Sequence, residues 1–183
     1  MGAAPTVGPT LDWEQQRFAA GASIFVDAFY ALDLLAAGHG IQDAAAGRQM
    51  RDNAVTVAFY TMAVIETDGL KCADADAQTA RRRQFTQILT PAWAELKPLP
   101  DESVEKILGR ALTEESVRAK GRAPDDYLCR GRTDDIPDTI AEAGKAVEPR
   151  FVPADDWGPR ADAVRKLLPA LLVEFTARLK ELP

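Results

Sequence analysis

Residues 54–65 read AVTVAFYTMAVI, the longest apolar run in a chain of 183 residues. This run decides the fold class, because its β-branched and aromatic residues would also suit a strand. It continues an alanine-rich stretch that begins near Asp43, however, and the whole segment 43–66 is longer than strands normally become. Thr56 and Thr61 interrupt it, and it is shorter than the roughly 18 to 20 residues of a membrane-spanning helix. The sequence therefore predicts a long helix and no membrane span.

The segment before this run predicts a helical hairpin. Residues 13–37 carry apolar side chains at helical spacing, and their second half is apolar on nearly all sides, which is typical of a buried helix. Glycines 38 and 40 then end the helix, as glycine commonly does. Short connections join antiparallel neighbours, so we expect 13–37 to pack against 43–66 around a turn at Gly40.

Helical patterns cover most of the remaining chain. The following segments are predicted as helices: 74–89, 91–96, a long segment beginning at Asp101, about 124–130, about 136–146, and 159–182 with a kink at Pro169. Prolines concentrate in an irregular region at 121–158. The predicted fold is an all-α, single-domain helical bundle at 10–183, with about five long helices plus short helices, preceded by a flexible arm at 1–9.

The charge balance argues against a nucleic-acid partner. The net charge is −6, whereas proteins that bind nucleic acid normally show a basic excess or a basic stripe. The one basic run is Arg81-Arg82-Arg83. Successive helical residues point in different directions, so this run is predicted to be a solvated or salt-bridged helix surface.

The chain has two cysteines, Cys72 and Cys129, separated by 57 residues. Polar residues surround both, which favours a disulfide over two free structural thiols or a redox pair. Closing a loop of this length would stabilise the fold by about 4 kcal/mol in the chain-entropy model. A metal site is not expected, because His39 is the only histidine and a tetrahedral zinc site would lack ligands.

A disulfide predicts an oxidising compartment. The opening residues, MGAAPTVGPT, resemble the small, proline-containing tail that remains after cleavage of a signal peptide. We therefore expect a periplasmic or secreted protein whose signal peptide is presumed removed, with the cytoplasm as the alternative.

Motifs for common catalytic and cofactor chemistry are absent from the sequence. There is no Glu-x-x-His pair for a di-iron centre, no Cys-x-x-Cys-His for covalent haem, and no glycine-rich nucleotide loop. A nucleophile–histidine–carboxylate triad would have to use His39, which lies between two glycines. No catalytic residue, metal or cofactor is predicted.

One polar constellation remains, inside the predicted hairpin. With the turn at Gly40, Asp27 falls opposite Asn53 and near Arg51, while Asp33 falls opposite Arg48. The first interpretation is that both aspartates form structural ion pairs with the arginines, because a buried carboxylate costs free energy unless it is paired. The second is a ligand pocket inside the bundle. That pocket would be lined by these residues: Asp27, Tyr30, Arg51, Asn53 and Tyr60.

These observations lead to two expectations about function. The first is an exported helical module that binds another protein through its acidic surface, as periplasmic inhibitors and immunity-type proteins of similar outline do. The second is a bundle that binds a small molecule, or an enzyme in which Asp27 acts as a base. The sequence leaves the partner, the ligand and the oligomeric state open.

Overall fold

The computed structural model describes residues 7–130 and 149–181. Within these ranges the protein is all-α, as predicted, and has no β-strand. The described residues form nine α-helices: α1 (Val7–Ala19), α2 (Ile24–Gly40), α3 (Ala44–Asp68), α4 (Ala75–Ile88), α5 (Thr90–Ala94), α6 (Asp101–Arg118), α7 (Asp126–Cys129), α8 (Trp157–Arg165) and α9 (Leu168–Glu181). Three short 3₁₀ segments add to them: Gly69–Lys71, Ala119–Gly121 and Ala154–Asp156.

Helix α3 is the centre of the bundle. Every residue from Ala54 to Asp68 is buried, so this half of the helix has no solvent face. The Asp43 side chain caps its start by accepting a hydrogen bond from the Ala46 N–H at 2.7 Å. Helices α2, α6, α4, α8 and α9 pack around it. The apolar run at 54–65 is therefore helical because it is enclosed by other helices, which its uniform hydrophobicity requires.

Helices α2 and α3 approach closely where two glycines meet. A Cβ atom added to Gly47 would lie 2.7 Å from the Gly38 carbonyl oxygen, and one added to Gly38 would lie 2.8 Å from Arg51 Cγ. Only glycine at both positions allows this backbone separation. Helix α2 also continues through Gly40 instead of ending before it. The hairpin turn therefore lies later in the chain than predicted, and the residue pairing between the two helices is shifted.

The predicted helix at 13–37 is two helices. Gly21 adopts a left-handed conformation, with φ of +73°, which ends α1. The Ser23 side chain then accepts a hydrogen bond from the Phe25 N–H and caps α2. A second cap comes from far along the chain, since Asp125 Oδ2 accepts from the Ile24 N–H at 2.8 Å. The apolar stripe that ran across this break is divided between two helices that pack against each other.

In the C-terminal region, too, one predicted helix is divided into two. The predicted kinked helix at 159–182 is two helices, α8 and α9, and Pro169 is the second residue of α9, where its missing N–H costs no helical hydrogen bond. The helix predicted at 136–146 lies outside the described residues. Of the predicted arm at 1–9, residues 1–6 also lie outside them, whereas 7–9 belong to α1.

Cys72 and Cys129 form the predicted disulfide, with their Cα atoms 4.9 Å apart. The bond joins the segment after α3 to the end of α7. Arg81, expected at the surface, is buried, and its guanidinium donates to the carbonyl oxygens of Tyr127 and Arg130, both at 3.1 Å. Arg82 forms the predicted kind of surface salt bridge, with Glu66. This corner of the fold is therefore held by a covalent bond and a buried cation.

The helices present in 7–130 and 149–181 include none with both the length and the apolar character that crossing a membrane requires. The same ranges contain no group of three or more histidine, cysteine, aspartate or glutamate side chains arranged to hold a metal ion.

The close contact between α2 and α3 makes a prediction about glycine. Replacing Gly47 by Ala would force the helices apart, so we expect a loss of about 1–3 kcal/mol in the free energy of unfolding. The matched control is Gly109→Ala in α6, where an added Cβ meets no atom within 4 Å. It should gain about 0.5–1 kcal/mol from helix propensity. Urea unfolding followed by circular dichroism measures both, and equal effects would contradict the close-contact argument.

Candidate functional site

An open groove runs between α1, α2, α3 and α6, with a volume of about 980 Å³. Its base and walls are mainly apolar or aromatic. These residues form that part: Phe18, Ala19, Tyr30, Leu34, Val57, Tyr60 and Ile107. The remaining lining residues are polar, charged or glycine: Gln15, Asp52, Asn53, Thr56, Ser103, Lys106, Gly109, Arg110, Thr113, Glu114 and Arg118.

Three aromatic rings form the base of the groove. Phe18 of α1 lies between Tyr30 of α2 and Tyr60 of α3, with ring centroids 5.6 Å and 4.9 Å apart. The guanidinium of Arg118 covers the Phe18 ring at 4.3 Å and donates to the Phe18 carbonyl oxygen at 3.2 Å. This arrangement positions the rings before any ligand binds, because each ring is fixed by a neighbour from a different helix.

One rim of the groove carries cations from α6. Lys106 and Arg110 lie four residues apart, and Arg118 follows eight residues after Arg110, so the three share one side of the helix. Arg110 donates to Asn53 Oδ1 at 3.1 Å, and Arg118 pairs with Glu114 at 2.9 Å. Asp52 and Glu114 are the only carboxylates among the lining residues that the structure describes, and Lys106 pairs with Glu102 at 2.6 Å, so Arg110 is the lining cation that no described carboxylate engages.

A buried carboxyl group lies behind the groove. Asp27 of α2 is only 1% exposed, and its Oδ1 atom has no hydrogen-bond partner among the described residues. Burial raises its pKa well above the ordinary value; Arg122 and Arg118 oppose this shift and Asp125 adds to it. Burial, with a further contribution from Asp27, raises the pKa of Tyr60 to about 12. Burial therefore favours the neutral form of Asp27, and the group is enclosed rather than open to a ligand.

Arg122 anchors a buried ionic network beside Tyr60. Its Nε donates to Asp68 Oδ2 at 2.6 Å, and its Nη2 donates to Asp68 Oδ1 and Glu115 Oε1, both at 3.0 Å. Arg165 of α8 reaches the same Glu115, with Nε 3.1 Å from Oε2. Burial disfavours the Arg122 charge, but the hydrogen bonds and charge of Asp68, followed by Tyr60 and Glu115, raise its pKa overall. The network joins α3, α6 and α8.

A second carboxyl group is buried at the α1–α2 contact. Glu14 is 5% exposed, and its Oε2 atom has no hydrogen-bond partner within the described part of the chain. Burial, then the charge of Asp33 and a side-chain hydrogen bond with Asp33, raises the pKa of Glu14 to about 7. Two carboxyl groups can share a hydrogen bond only when one of them holds a proton.

The structure brings together three of the five residues predicted to line a pocket. Tyr30, Asn53 and Tyr60 line the groove, and Asp27 lies behind it. Arg51 lies elsewhere, at the far end of α2, where it donates to Glu95 Oε2 at 3.1 Å and to the Gly38 carbonyl oxygen at 3.3 Å. His39 binds the same Glu95, with Nε2 3.0 Å from Oε1.

The two predicted ion pairs are wrong for one reason. Asp27 does not pair with Arg51, which binds Glu95, and no salt bridge joins Asp33 to Arg48 within the described part of the chain. The prediction placed the turn at Gly40, but α2 continues through this residue and packs Gly38 against Gly47. The shift moves the positions facing Asp27 further along α3, toward Tyr60.

The sequence analysis missed the contributions of α1 and α6. The spacing of Lys106, Arg110 and Arg118, at four and then eight residues, was a usable signal, because it places three cations on one side of a helix. Glu14 carried no such signal, since its burial depends on the break at Gly21 that folds α1 back onto α2.

Replacing Asp27 by Asn tests whether this carboxyl group is neutral. Burial raises the pKa of Asp27 in the folded protein above the ordinary value of 3.8. The free energy of unfolding of the wild type therefore falls as the pH rises from 3.8 toward the pKa of the folded state. Asn cannot ionise, so the variant does not show this fall. We expect the variant to be more stable than the wild type by about 1–3 kcal/mol at pH 8, and by less at pH 5.

Urea unfolding at the two pH values measures this difference. Glu105→Gln, which removes an exposed carboxylate from α6, is the matched control. A loss of stability in Asp27→Asn at pH 8 would mean that the carboxylate is charged and paired.

No family model, curated protein or solved structure matches this chain. What the protein binds is therefore inferred from its own groove, buried carboxyl groups and exposed surfaces.

Proposed function

We propose that the protein is a binding protein whose groove holds a small amphipathic molecule with an anionic group. The observation that carries this proposal is the combination, in one groove of about 980 Å³, of an apolar base and a cationic rim. Ligand sites in proteins are typically of this size, mostly apolar, and supplied with a few polar groups that fix orientation.

The base supports the apolar part of such a ligand. Phe18, Tyr30 and Tyr60 come from three different helices, and Leu34, Val57 and Ile107 lie beside them; each is at most 8% exposed, so together they offer the edges of a packed apolar floor. Aromatic and aliphatic contacts of this kind favour a hydrocarbon chain or a planar ring system, because they gain free energy from the apolar area that is removed from water.

The rim supports the anionic part. Three cations and two carboxylates line the groove, in a chain whose net charge is −6. Arg110 has a planar guanidinium group, a group that binds carboxylate or sulfonate oxygens through paired N–H donors, and no described carboxylate engages it. Arg110 thus favours an anion over a cation of similar shape.

Filling the groove tests the proposal. Gly109 lines it, and an added Cβ at this position meets no atom within 4 Å, so Gly109→Phe occupies the groove without disturbing the core. The probe is 1-anilinonaphthalene-8-sulfonate, a fluorescent amphipathic anion. We expect saturable binding at one site in the wild type and a weakening of about ten-fold or more in Gly109→Phe.

Gly158→Phe is the matched control, because Gly158 is also an exposed helical glycine with open space, but it lies in α8 away from the groove. It should bind the probe like the wild type. Decanoate should displace the probe, and decylamine, which has the same chain and the opposite charge, should not. Equal binding by both glycine variants, or equal displacement by both amphipaths, would contradict the proposal.

A second candidate function is the binding of another protein through α9. Leu167, which immediately precedes α9, is 58% exposed, and Leu171, four residues later on the same side, is 37% exposed. Neighbouring exposed apolar side chains are typical of interaction surfaces. The Cys72–Cys129 disulfide supports a periplasmic or secreted location for such a module, where disulfides persist.

Site-specific photocrosslinking tests this second candidate. A benzophenone side chain at Leu167 should crosslink one protein of the periplasmic or secreted fraction, and a benzophenone at the exposed residue Glu105 should not. An excess of unlabelled wild type should compete with the crosslink, whereas an excess of Leu171→Asp should not. Crosslinks that both competitors reduce equally would count against an α9 interface.

A further inference from the structure

Arg110 differs from the other two cations of the groove in its partners. Lys106 pairs with Glu102 at 2.6 Å. Arg118 pairs with Glu114 at 2.9 Å. The exposed side chain of Arg110 has no carboxylate partner in the described part of the chain, so it can meet an anionic ligand without first leaving a salt bridge.

Asn53 of α3 holds the guanidinium group of Arg110 at the groove. Arg110 Nη1 donates to Asn53 Oδ1 at 3.1 Å, a hydrogen bond that joins α6 to α3. The guanidinium has further N–H donors, and the amide group of Asn53 keeps both of its own. The two side chains therefore offer a ligand several N–H donors close together, which is the arrangement that binds the two oxygens of a carboxylate.

The apolar lining extends away from this pair along one side of α3. Asn53, Val57 and Tyr60 all line the groove, at positions that share a helix face. Asn53 and Tyr60 lie two turns apart, about 10 Å along the helix axis. A ligand with its carboxylate at Arg110 and Asn53 can thus lay an apolar part of this length, comparable with the extended chain of decanoate, across the floor of the groove.

The charges around the groove favour a ligand with a single negative charge. In the described part of the chain, the groove and its ion-pair partners contain three cations and three carboxylates, which are Lys106, Arg110, Arg118, Asp52, Glu102 and Glu114. These charges balance, so an anion is attracted by direct contact with Arg110 and not by a net positive field. A second negative charge on the ligand would add repulsion from Asp52 and Glu114 and would cost further desolvation.

We propose that Arg110 and Asn53 form a carboxylate-binding site at one end of the groove, and that the ligand is a monocarboxylate with an apolar chain or ring about as long as decanoate. Arg110 binds the carboxylate directly, and Asn53 positions Arg110. This assignment rests on the proposed binding function, because it names the ligand class of the same groove.

Calorimetric titration of the full chain at pH 8 tests the contact with Arg110. The two ligands are decanoate and decanamide, which have the same shape and differ in charge. The wild type should bind decanoate about ten-fold or more tightly than decanamide, because a hydrogen bond to a charged group is stronger than one between neutral groups. Arg110→Gln should remove this preference and leave the affinity for decanamide unchanged, whereas damage to the groove would weaken the binding of both ligands.

Arg160→Gln is the matched control. Arg160 is a half-exposed cation of α8, 3.8 Å from Asp156, and it does not line the groove. Its replacement changes the net charge by the same amount as Arg110→Gln, and the preference for decanoate should remain. An equal loss of preference in both variants would show an effect of net charge and would overturn the contact.

Two changes at Asn53 test its positioning role. Asn53→Leu should reduce the preference for decanoate by about three-fold, and it should have no further effect when combined with Arg110→Gln. Asn53→Asp should remove most of the preference without a change in size, because the new carboxylate pairs with Arg110. A preference that is unchanged in Asn53→Asp would overturn the role of Asn53.

Decyl phosphate tests the charge of the ligand. It carries two negative charges at pH 8, because the second pKa of a phosphate monoester is about 6. It should bind the wild type less tightly than decanoate does. Tighter binding of decyl phosphate would overturn the assignment of a singly charged ligand.

The outcomes separate this assignment from the binding function itself. If the wild type binds decanoate, Gly109→Phe weakens the binding, and Arg110→Gln binds like the wild type, the carboxylate site is overturned and the binding function stands. If the wild type binds neither decanoate nor 1-anilinonaphthalene-8-sulfonate, the binding function is overturned and the assignment falls with it.

Discussion

The pairing of Arg122 with Asp68 and Glu115 is the interaction on which the arrangement of the bundle depends. All three side chains are almost completely buried, and a buried charge without a partner would cost several kcal/mol. The pairing therefore fixes the C-terminal ends of α3 and α6 relative to each other. These two helices supply most of the groove, so its width is set at the end where the ionic network lies.

The buried acidic residues of this bundle differ in charge state and in their effect on stability, because their neighbours differ. Asp68 and Glu115 meet arginines and form salt bridges, which join helices that are distant in sequence. Asp27 and Glu14 are buried with too little positive charge nearby, so burial raises the pKa of both. The first two stabilise the fold as ions, whereas burial favours the neutral form of the second two.

Much of the architecture could be predicted from the sequence, and the relative placement of helices could not. Hydrophobic periodicity located α6, which buries an apolar stripe, and the length of the alanine-rich, apolar segment 43–66 located α3. The helix break at Gly21 was also visible in principle, since a glycine followed closely by Ser23 is a stop signal next to a start signal. A continuous apolar stripe across both helices concealed it.

The candidate site was harder to predict, because it depends on register. A turn displaced by only a few residues moved Asp27 away from Arg51 and toward Tyr60, and no local signal in the sequence reports such a shift. The close contact between Gly38 and Gly47 sets the register of α2 against α3. This contact exists only once the two helices have packed together, so neither segment of sequence reveals it alone. Tyr30 and Asn53 reached the groove because both lie on helix faces that turn toward α6.

The position of Arg81 has a consequence for how the protein matures. Its guanidinium binds two carbonyl groups of the α7 region, so non-covalent contacts already place Cys129 beside Cys72. The two thiols of a newly folded, reduced chain would thus face each other at a high effective concentration, which favours oxidation to the native pair. The disulfide would then form after the α7 region has packed against α4, and it would stabilise that packing without being needed to produce it.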